Sequence, residues 1–360
     1  MEEPVTLRTS LRPAALIAAL GTILMVTRPA ASETPRLGSY AIDADGISVS
    51  GVSSGGYMAQ QFHVAHSATL SGAGIVAAGP YRCAGGGYPL SLYRAMSVCM
   101  DAGLLVPFQG PPEAAPSIED TRSEAIAGAV DDPAHMRGDR VYLFSGRLDG
   151  TVPQSVTNAL KTYYEAFVPP ENIEYVNNIR AGHGMVTDGF GNPCAATDTP
   201  FINDCGYDAA GELLESIYGV LAPPVDADGT LAAFDQSEFM ADPNALSMSH
   251  VGHLYVPKAC AAGAVCRLHV AFHGCEQYEG AVGDAFFAHA GYNRWAEAND
   301  IIVLYPQTAP KTTTLFGLEL PWPNPLGCWD WWGYTGGDYA GKTGGQIAAV
   351  QAMIDRLAGH

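Results

Sequence analysis

Three residues, each at the end of an apolar run, have the types and order that acyl transfer requires. Ser53 stands in "GVSSGGYMAQQFHVAH", where Gly51 to Gly55 fits Gly-x-Ser-x-Gly, after the strand-like "GISVS" and before an Ala-rich helical run. A serine held between strand and helix must turn sharply to point its hydroxyl outward, and glycines two residues before and after relieve the crowding. The hydroxyl is almost fully protonated at neutral pH, so it needs a base to take its proton and an acid to orient that base. Asp149 closes "DRVYLFSGRLDGTV", and His183 lies in "RAGHGM" after "IEYV". Nucleophile, acid and base then follow in that order, each in a loop after a strand.

Other residues compete for these roles. His63 and His66 fall on the helix after Ser53, where histidines are commonly packed or solvated, and His253 and His269 fall within strands. His183 is flanked by Gly182 and Gly184, which let its loop approach another closely. Asp188 and Asp204 are rivals to Asp149, but neither directly follows a strong strand. No Cys-x-x-Cys and no His-Glu-x-x-His pattern occurs, so a zinc centre is not expected. The chemistry of the three residues requires no metal and no organic cofactor.

Positioning them is the task of the surrounding elements. After "GISVSGV" and its helix come the strands "SGAGIVAAGPY", "DRVYLFSG" and "IEYV", with the helix "VPQSVTNALKTYYEAF" between the last two. Downstream, "ELLESIYGVL" reads as a helix and "PPVDADGTLAAFDQSEF" as a turn-bounded strand. "HLYVPKAC" and "CRLHVAFHGC" read as a hairpin closed by the small residues between Cys260 and Cys266. The helix "YNRWAEAND", the strand "IIVLYPQT", the aromatic loop "PNPLGCWDWWGY" and the helix "GGQIAAVQAMIDRLAGH" complete the chain. Alternating strands and helices with short apolar strands predict an α/β fold, a mostly parallel central sheet with helices on both faces. The 360 residues are 48% hydrophobic and 15% charged, enough to bury a large core. No linker, repeat or low-complexity tail divides residues 33–360, which are expected to form a single domain.

Residues 1–32 have the layout of a secretory signal: Arg8 and Arg12, the apolar run "PAALIAALGTILMV", then small residues in "TRPAAS". Glu2 and Glu3 make its start more acidic than the usual pattern. Eight cysteines fall into local pairs, Cys83 with Cys99, Cys194 with Cys205 and Cys260 with Cys266, leaving Cys275 with Cys328. Disulfides fit an oxidising compartment, so a secreted protein is expected, extracellular or periplasmic. No later run approaches about 20 apolar residues, so no membrane span is expected in the mature protein. The net charge of -19 becomes -20 once the three arginines and two glutamates of residues 1–32 are gone. Such a chain repels nucleic acid and anionic membranes, and a neutral substrate suits it better.

The tetrahedral intermediate of acyl transfer also needs two backbone N–H donors. One is expected from Ser54, directly after the nucleophile. The other usually comes from a His-Gly loop after an earlier strand, yet here "LHVAFHGC" places His273, Gly274 and Cys275 far downstream. The order becomes right if an α/β-hydrolase fold is circularly permuted, so that the strand preceding the nucleophile opens the mature protein. A sheet tolerates a new cut provided the new ends lie at the surface. The old termini would then be joined in the irregular stretch between His183 and the strand at Leu254.

With these pieces together the sequence resembles the esterase family of poly(3-hydroxybutyrate) depolymerases, in particular its single-domain, circularly permuted type. "GVSSGGYMA", "GRLDGTV", "AGHGM", "VAFHGC" and "GCWDWWGY" occur in the family's order across nearly the whole mature chain. The resemblance implies a secreted serine hydrolase cutting ester bonds in a polyester of 3-hydroxyalkanoic acids. It implies Ser53 as nucleophile, Asp149 and His183 as its partners, and the N–H groups of Ser54 and Cys275 as the oxyanion hole. A Cys275–Cys328 disulfide would tie the oxyanion loop to the tryptophan loop. Among Trp329, Trp331 and Trp332, the resemblance favours a tryptophan at the mouth of the site, Trp331 or Trp332, gripping an apolar polymer. The expected partner is a polyester chain or granule surface, and the expected state is a monomer. The competing readings are a carbohydrate esterase, feruloyl or acetylxylan, on the same scaffold, and a non-catalytic binding protein that kept it.

Overall fold

The computed structural model describes residues 1, 34–85, 87–315 and 318–360. The expected signal, apart from Met1, therefore lies outside the described residues. Thirteen strands occur among them: β1 (Ile42–Val52), β2 (Gly72–Val76), β3 (Arg140–Phe144), β4 (Ile173–Val176), β5 (Met185–Thr187), β6 (Asn192–Pro193), β7 (Ile202–Asp204), β8 (Thr230–Asp235), β9 (Val251–Val256), β10 (Cys266–Phe272), β11 (Ile301–Tyr305), β12 (Lys311–Leu315) and β13 (Leu318–Asn324). Eight of them form one sheet in the order β4-β3-β2-β1-β10-β11-β9-β8. From β4 to β11 every neighbouring pair is parallel, and β9 and β8 add an antiparallel edge. β5, β6 and β7 form a small parallel sheet, and β12 and β13 an antiparallel hairpin.

The inner strands β2, β3, β10 and β11 are buried on both sides because both faces of the sheet are covered, as parallel sheets require. On β3, Val141 and Leu143 join Phe62, Leu160, Tyr163 and Val350 in one core, while Tyr142 and Phe144 join Leu213, Leu214 and Ile217 in the other. The helices Ser54–Ala65 (α1), Gln154–Tyr164 and Gly345–Leu357 cover the first face. Ala209–Tyr218 and Tyr292–Ala298 cover the second.

The topology is that of a circularly permuted α/β-hydrolase fold. β1 is the first strand among the described residues yet lies in the middle of the sheet, paired with β2 on one side and β10 on the other. The helix Gly345–Leu357 ends beside it, where the Tyr40 N–H donates to the Leu357 carbonyl at 2.8 Å. Residues 219–229, between the helix Ala209–Tyr218 and the edge strand β8, lie within the stretch expected to join the older ends.

The expected hairpin of "HLYVPKAC" and "CRLHVAFHGC" is not formed. β9 pairs with β8 and β11, whereas β10 pairs with β1 and β11, so β11 separates the two. β10 is almost wholly buried, and parallel partners on both edges satisfy its backbone groups, leaving none for β9. The segment between them is a short helix, Lys258–Ala261, tied by the Cys260–Cys266 disulfide.

Candidate active site

β1 ends at Val52 and α1 begins at Ser54, so Ser53 makes the whole turn between them. Its backbone is held at φ 57° and ψ -122°, a conformation that costs a non-glycine residue about 1–3 kcal/mol and persists only where the surroundings enforce it. Gly51 and Gly55 make the turn possible. A Cβ on Gly51 would stand 2.2 Å from the Gly55 carbonyl oxygen, and one on Gly55 would stand 2.2 Å from the Phe272 carbonyl oxygen. The second contact presses the start of α1 onto the end of β10, which brings the Gly274–Cys275 loop beside Ser53.

The loops after β3 and β4 supply the other two groups. They are laced together by the Arg147 N–H donating to Ile179 O (2.8 Å) and the Leu148 N–H donating to Ala181 O (3.0 Å). His183 Nε2 lies 2.9 Å from Ser53 Oγ, and His183 Nδ1 lies 2.8 Å from Asp149 Oδ2. The other oxygen of Asp149 accepts the N–H groups of Thr151 (2.9 Å) and Val152 (2.8 Å), which fixes the carboxylate plane. The His183 N–H donates to Thr197 Oγ1 at 2.9 Å, and the Gly182 N–H donates to Cys194 O. The Cys194–Cys205 disulfide braces that supporting segment. Both Asp149 and His183 are buried, so their contact is little screened by water.

The rivals do not join this chain of contacts, and His66 packs against Phe62 at the far end of α1. His63 pairs with Asp139 and Tyr164, His253 with Glu279, and His269 lies between Ser48 and Ser50 in the sheet. Asp188 is bound to Arg294, and Asp204 accepts the N–H of Gly206. Among the described residues no group of three or more His, Cys, Asp or Glu side chains is arranged to hold a metal ion.

Ser54 opens α1, where the first N–H groups have no intrahelical acceptor and the helix dipole favours negative charge. The Cys275 loop is held by several bonds. His273 Nδ1 lies 2.7 Å from the Gly274 carbonyl, and His273 Nε2 accepts the Thr308 N–H at 3.1 Å. This pattern needs a neutral ring, and complete burial pushes its pKa down to about 4. Cys275 is joined to Cys328, and the remaining pair is Cys83–Cys99.

Ser53, His183, Cys275 and Trp331 line a cavity of about 200 Å³. A second, mostly apolar cavity of about 520 Å³ shares Met100, Cys275, Leu326 and Trp331 with it and extends to Trp322 and Trp332. Trp331 and Trp332 line these cavities while being only 5% exposed each; Trp329 is fully buried. Asp330 sets the loop, its carboxylate accepting N–H groups from Trp332, Gly333, Tyr334 and Thr335. Burial raises its pKa, opposed by those donors. The exposed tryptophan at the rim is Trp322, on β13, which sequence reasoning missed; the signal was "LPWPN" in a stretch without helical or strand period.

No family model matches the chain. A poly(3-hydroxybutyrate) depolymerase of Delftia acidovorans is 42% identical over 322 residues, 88% of this chain and 60% of the relative, so the chain spans less than two thirds of that protein's length. A polyhydroxybutyrate depolymerase of Talaromyces funiculosus is 35% identical over 333 residues, 89% of this chain and 92% of the relative. The crystal structure of a PHB depolymerase from Penicillium funiculosum superposes with a TM-score of 0.79 at 34% identity, covering 90% of this chain and 99% of that one. A PHB depolymerase solved as a serine-to-alanine variant complexed with an R3HB trimer matches with the same values. Similarity of this extent, to a relative covered almost end to end and to a solved structure of the same name, shows that the chain belongs to the poly(3-hydroxybutyrate) depolymerase family.

Proposed function

We propose that the protein is a secreted serine carboxylic-ester hydrolase that cleaves poly(3-hydroxybutyrate) or related short-chain polyhydroxyalkanoates to oligomers and monomers. The observation that carries this reading is the chain of contacts Ser53–His183–Asp149 opening into an apolar cavity walled by Trp331. His183 Nε2 takes the Ser53 proton as Oγ attacks the ester carbonyl, and Asp149 stabilises the imidazolium that forms. The N–H groups of Ser54 and Cys275 receive the developing oxyanion. The alcohol end of the polymer leaves with the proton from His183. Water, deprotonated by the same nitrogen, then attacks the acyl-enzyme and releases the acid.

The surroundings suit a neutral, apolar polyester. Few charges line the two cavities, and Trp322 and Leu326 stand half-exposed at the rim of the larger one. Adsorption then rests on this surface. Residues 1–32 serve as the export signal and residues 33–360 as a single catalytic domain acting as a monomer. Four disulfides fit an oxidising destination, outside the cell or in the periplasm.

The test compares release of 3-hydroxybutyrate from amorphous polymer with release of ferulate or acetate from xylan esters. Polymer hydrolysis exceeding both supports the proposal. Preference for the xylan esters rejects it in favour of a carbohydrate esterase.

A further inference from the structure

The histidine loop follows β4 and the oxyanion loop follows β10, strands well separated in the sheet, and one side chain holds the two loops together. Gln277 is buried in the wall of the Ser53 cavity. Its Oε1 accepts the Gly274 N–H at 2.7 Å, and its Nε2 donates to the carbonyls of Pro200 (3.0 Å) and Phe201 (2.9 Å). The Phe201 carbonyl also accepts the Met185 N–H at 2.8 Å, two residues beyond His183. The path from oxyanion donor to base therefore runs Cys275, Gly274, Gln277, Phe201, Met185, His183, with every step a hydrogen bond or a short stretch of chain. Phe201 itself sits at φ 56° and lines the cavity.

Resting on the esterase reading above, we propose that Gln277 is the positioning residue that fixes the Cys275 N–H relative to His183. Its amide satisfies both loops at once: one oxygen for the Gly274 donor and two N–H bonds for the two carbonyls. A methionine of similar length fills the space but makes none of these bonds. It leaves the buried Gly274 N–H and the Pro200 carbonyl unmatched and the Phe201 carbonyl with Met185 alone, and each loop then relaxes separately. Oxyanion stabilisation depends on donor placement, and a shift of about 1 Å costs on the order of 100-fold in rate.

The test uses the full mature chain, with Gln277→Met and Gln277→Ala as variants. Three quantities are measured: kcat and KM on a soluble 3-hydroxybutyrate oligomer, the inhibition constant of phenylboronic acid, and that of an uncleavable ether analogue of the oligomer. Phenylboronic acid forms a tetrahedral adduct with the serine, whereas the ether only fills the cavity. The expected result for Gln277→Met is a kcat lowered about 10- to 100-fold, with boronate affinity falling in parallel. KM and ether affinity stay within about twofold. A kcat within about twofold of the wild type overturns the proposal, as does an equal loss of boronate and ether affinity, which marks a merely structural role. Should both variants misfold, amide exchange in the wild type decides. The Gly274 amide is expected to be protected, and free exchange overturns the proposal. Ser53→Ala is run alongside: turnover in that variant fails the esterase reading itself, whereas its inactivity beside a fully active Gln277→Met fails this inference alone.

Discussion

The rings of Tyr57 and Trp331 lie stacked, centroids 4.1 Å apart and planes within 8°. Tyr57 stands one turn into α1, behind Ser53, so the tryptophan loop is keyed to the element that carries the proposed nucleophile. Trp331 is both a packed core residue and a wall of the cavity. Replacing it with alanine removes a large buried ring, a change worth about 3–5 kcal/mol. The expected outcome for Trp331→Ala is a lower melting temperature, together with a greater loss of activity on polymer than on a small soluble ester. Calorimetry and parallel assays check this, and an equal loss on both substrates argues against a role in gripping the chain.

Gly55 allows no side chain, because its Cβ would meet both the Phe272 and the His273 carbonyls, at 2.2 and 2.3 Å. Both partners are backbone at the end of a central strand and cannot move aside alone. Gly55→Ala is expected to lower stability by about 1–3 kcal/mol or more and to displace the Cys275 loop from Ser53. Denaturant unfolding and kcat report the two effects.

The disulfide Cys275–Cys328 closes a loop of 53 residues, which in the chain-entropy account stabilises the fold by about 4 kcal/mol. It also anchors the proposed oxyanion donor to the tryptophan loop. Cys328→Ser is expected to lose activity at temperatures where far-ultraviolet circular dichroism still shows a folded sheet. Undiminished activity separates the donor's placement from the disulfide.

Two buried histidines set an acid limit on stability. His269, between Ser48 and Ser50, has its pKa pushed down to about 3 by burial, and His273 to about 4. Between those values and the ordinary 6.5 the unfolded chain binds protons that the folded chain does not, so stability rises with pH across this window. Their contribution is fully present above pH 6.5 and is lost as pH falls toward 4, roughly 3 kcal/mol for each ring. Urea midpoints from pH 7.5 to 4.5 check the trend, and His269→Gln is expected to flatten it.

Much of the site was legible because each of its parts has a local cause. Gly51 and Gly55 announced the turn at Ser53, and Asp149 and His183 lie in the loops that follow β3 and β4. The three local cysteine pairs that chain proximity suggests, and the long-range pair Cys275–Cys328 left over, are the pairs in the structure. What escaped the sequence depends on long-range neighbours. Nearness along the chain suggested that β9 and β10 pair, but β11, inserted between them, comes from more than thirty residues downstream of β10's start. Gln277 reads as an ordinary loop glutamine until Pro200 and Phe201 arrive from a loop more than seventy residues earlier in the chain. Trp331 and Trp332 differ from Trp322 only in what packs on them, and spacing carries no record of that.

The central claim, that Ser53 is the group which attacks the ester, is tested most directly by labelling the folded protein with a fluorophosphonate and locating the adduct by peptide mass spectrometry. A single adduct is expected on Ser53, with polymer hydrolysis lost in proportion to labelling and the label absent from His183→Ala. An adduct on another residue that abolishes hydrolysis, or hydrolysis persisting after Ser53 is fully labelled, contradicts the account.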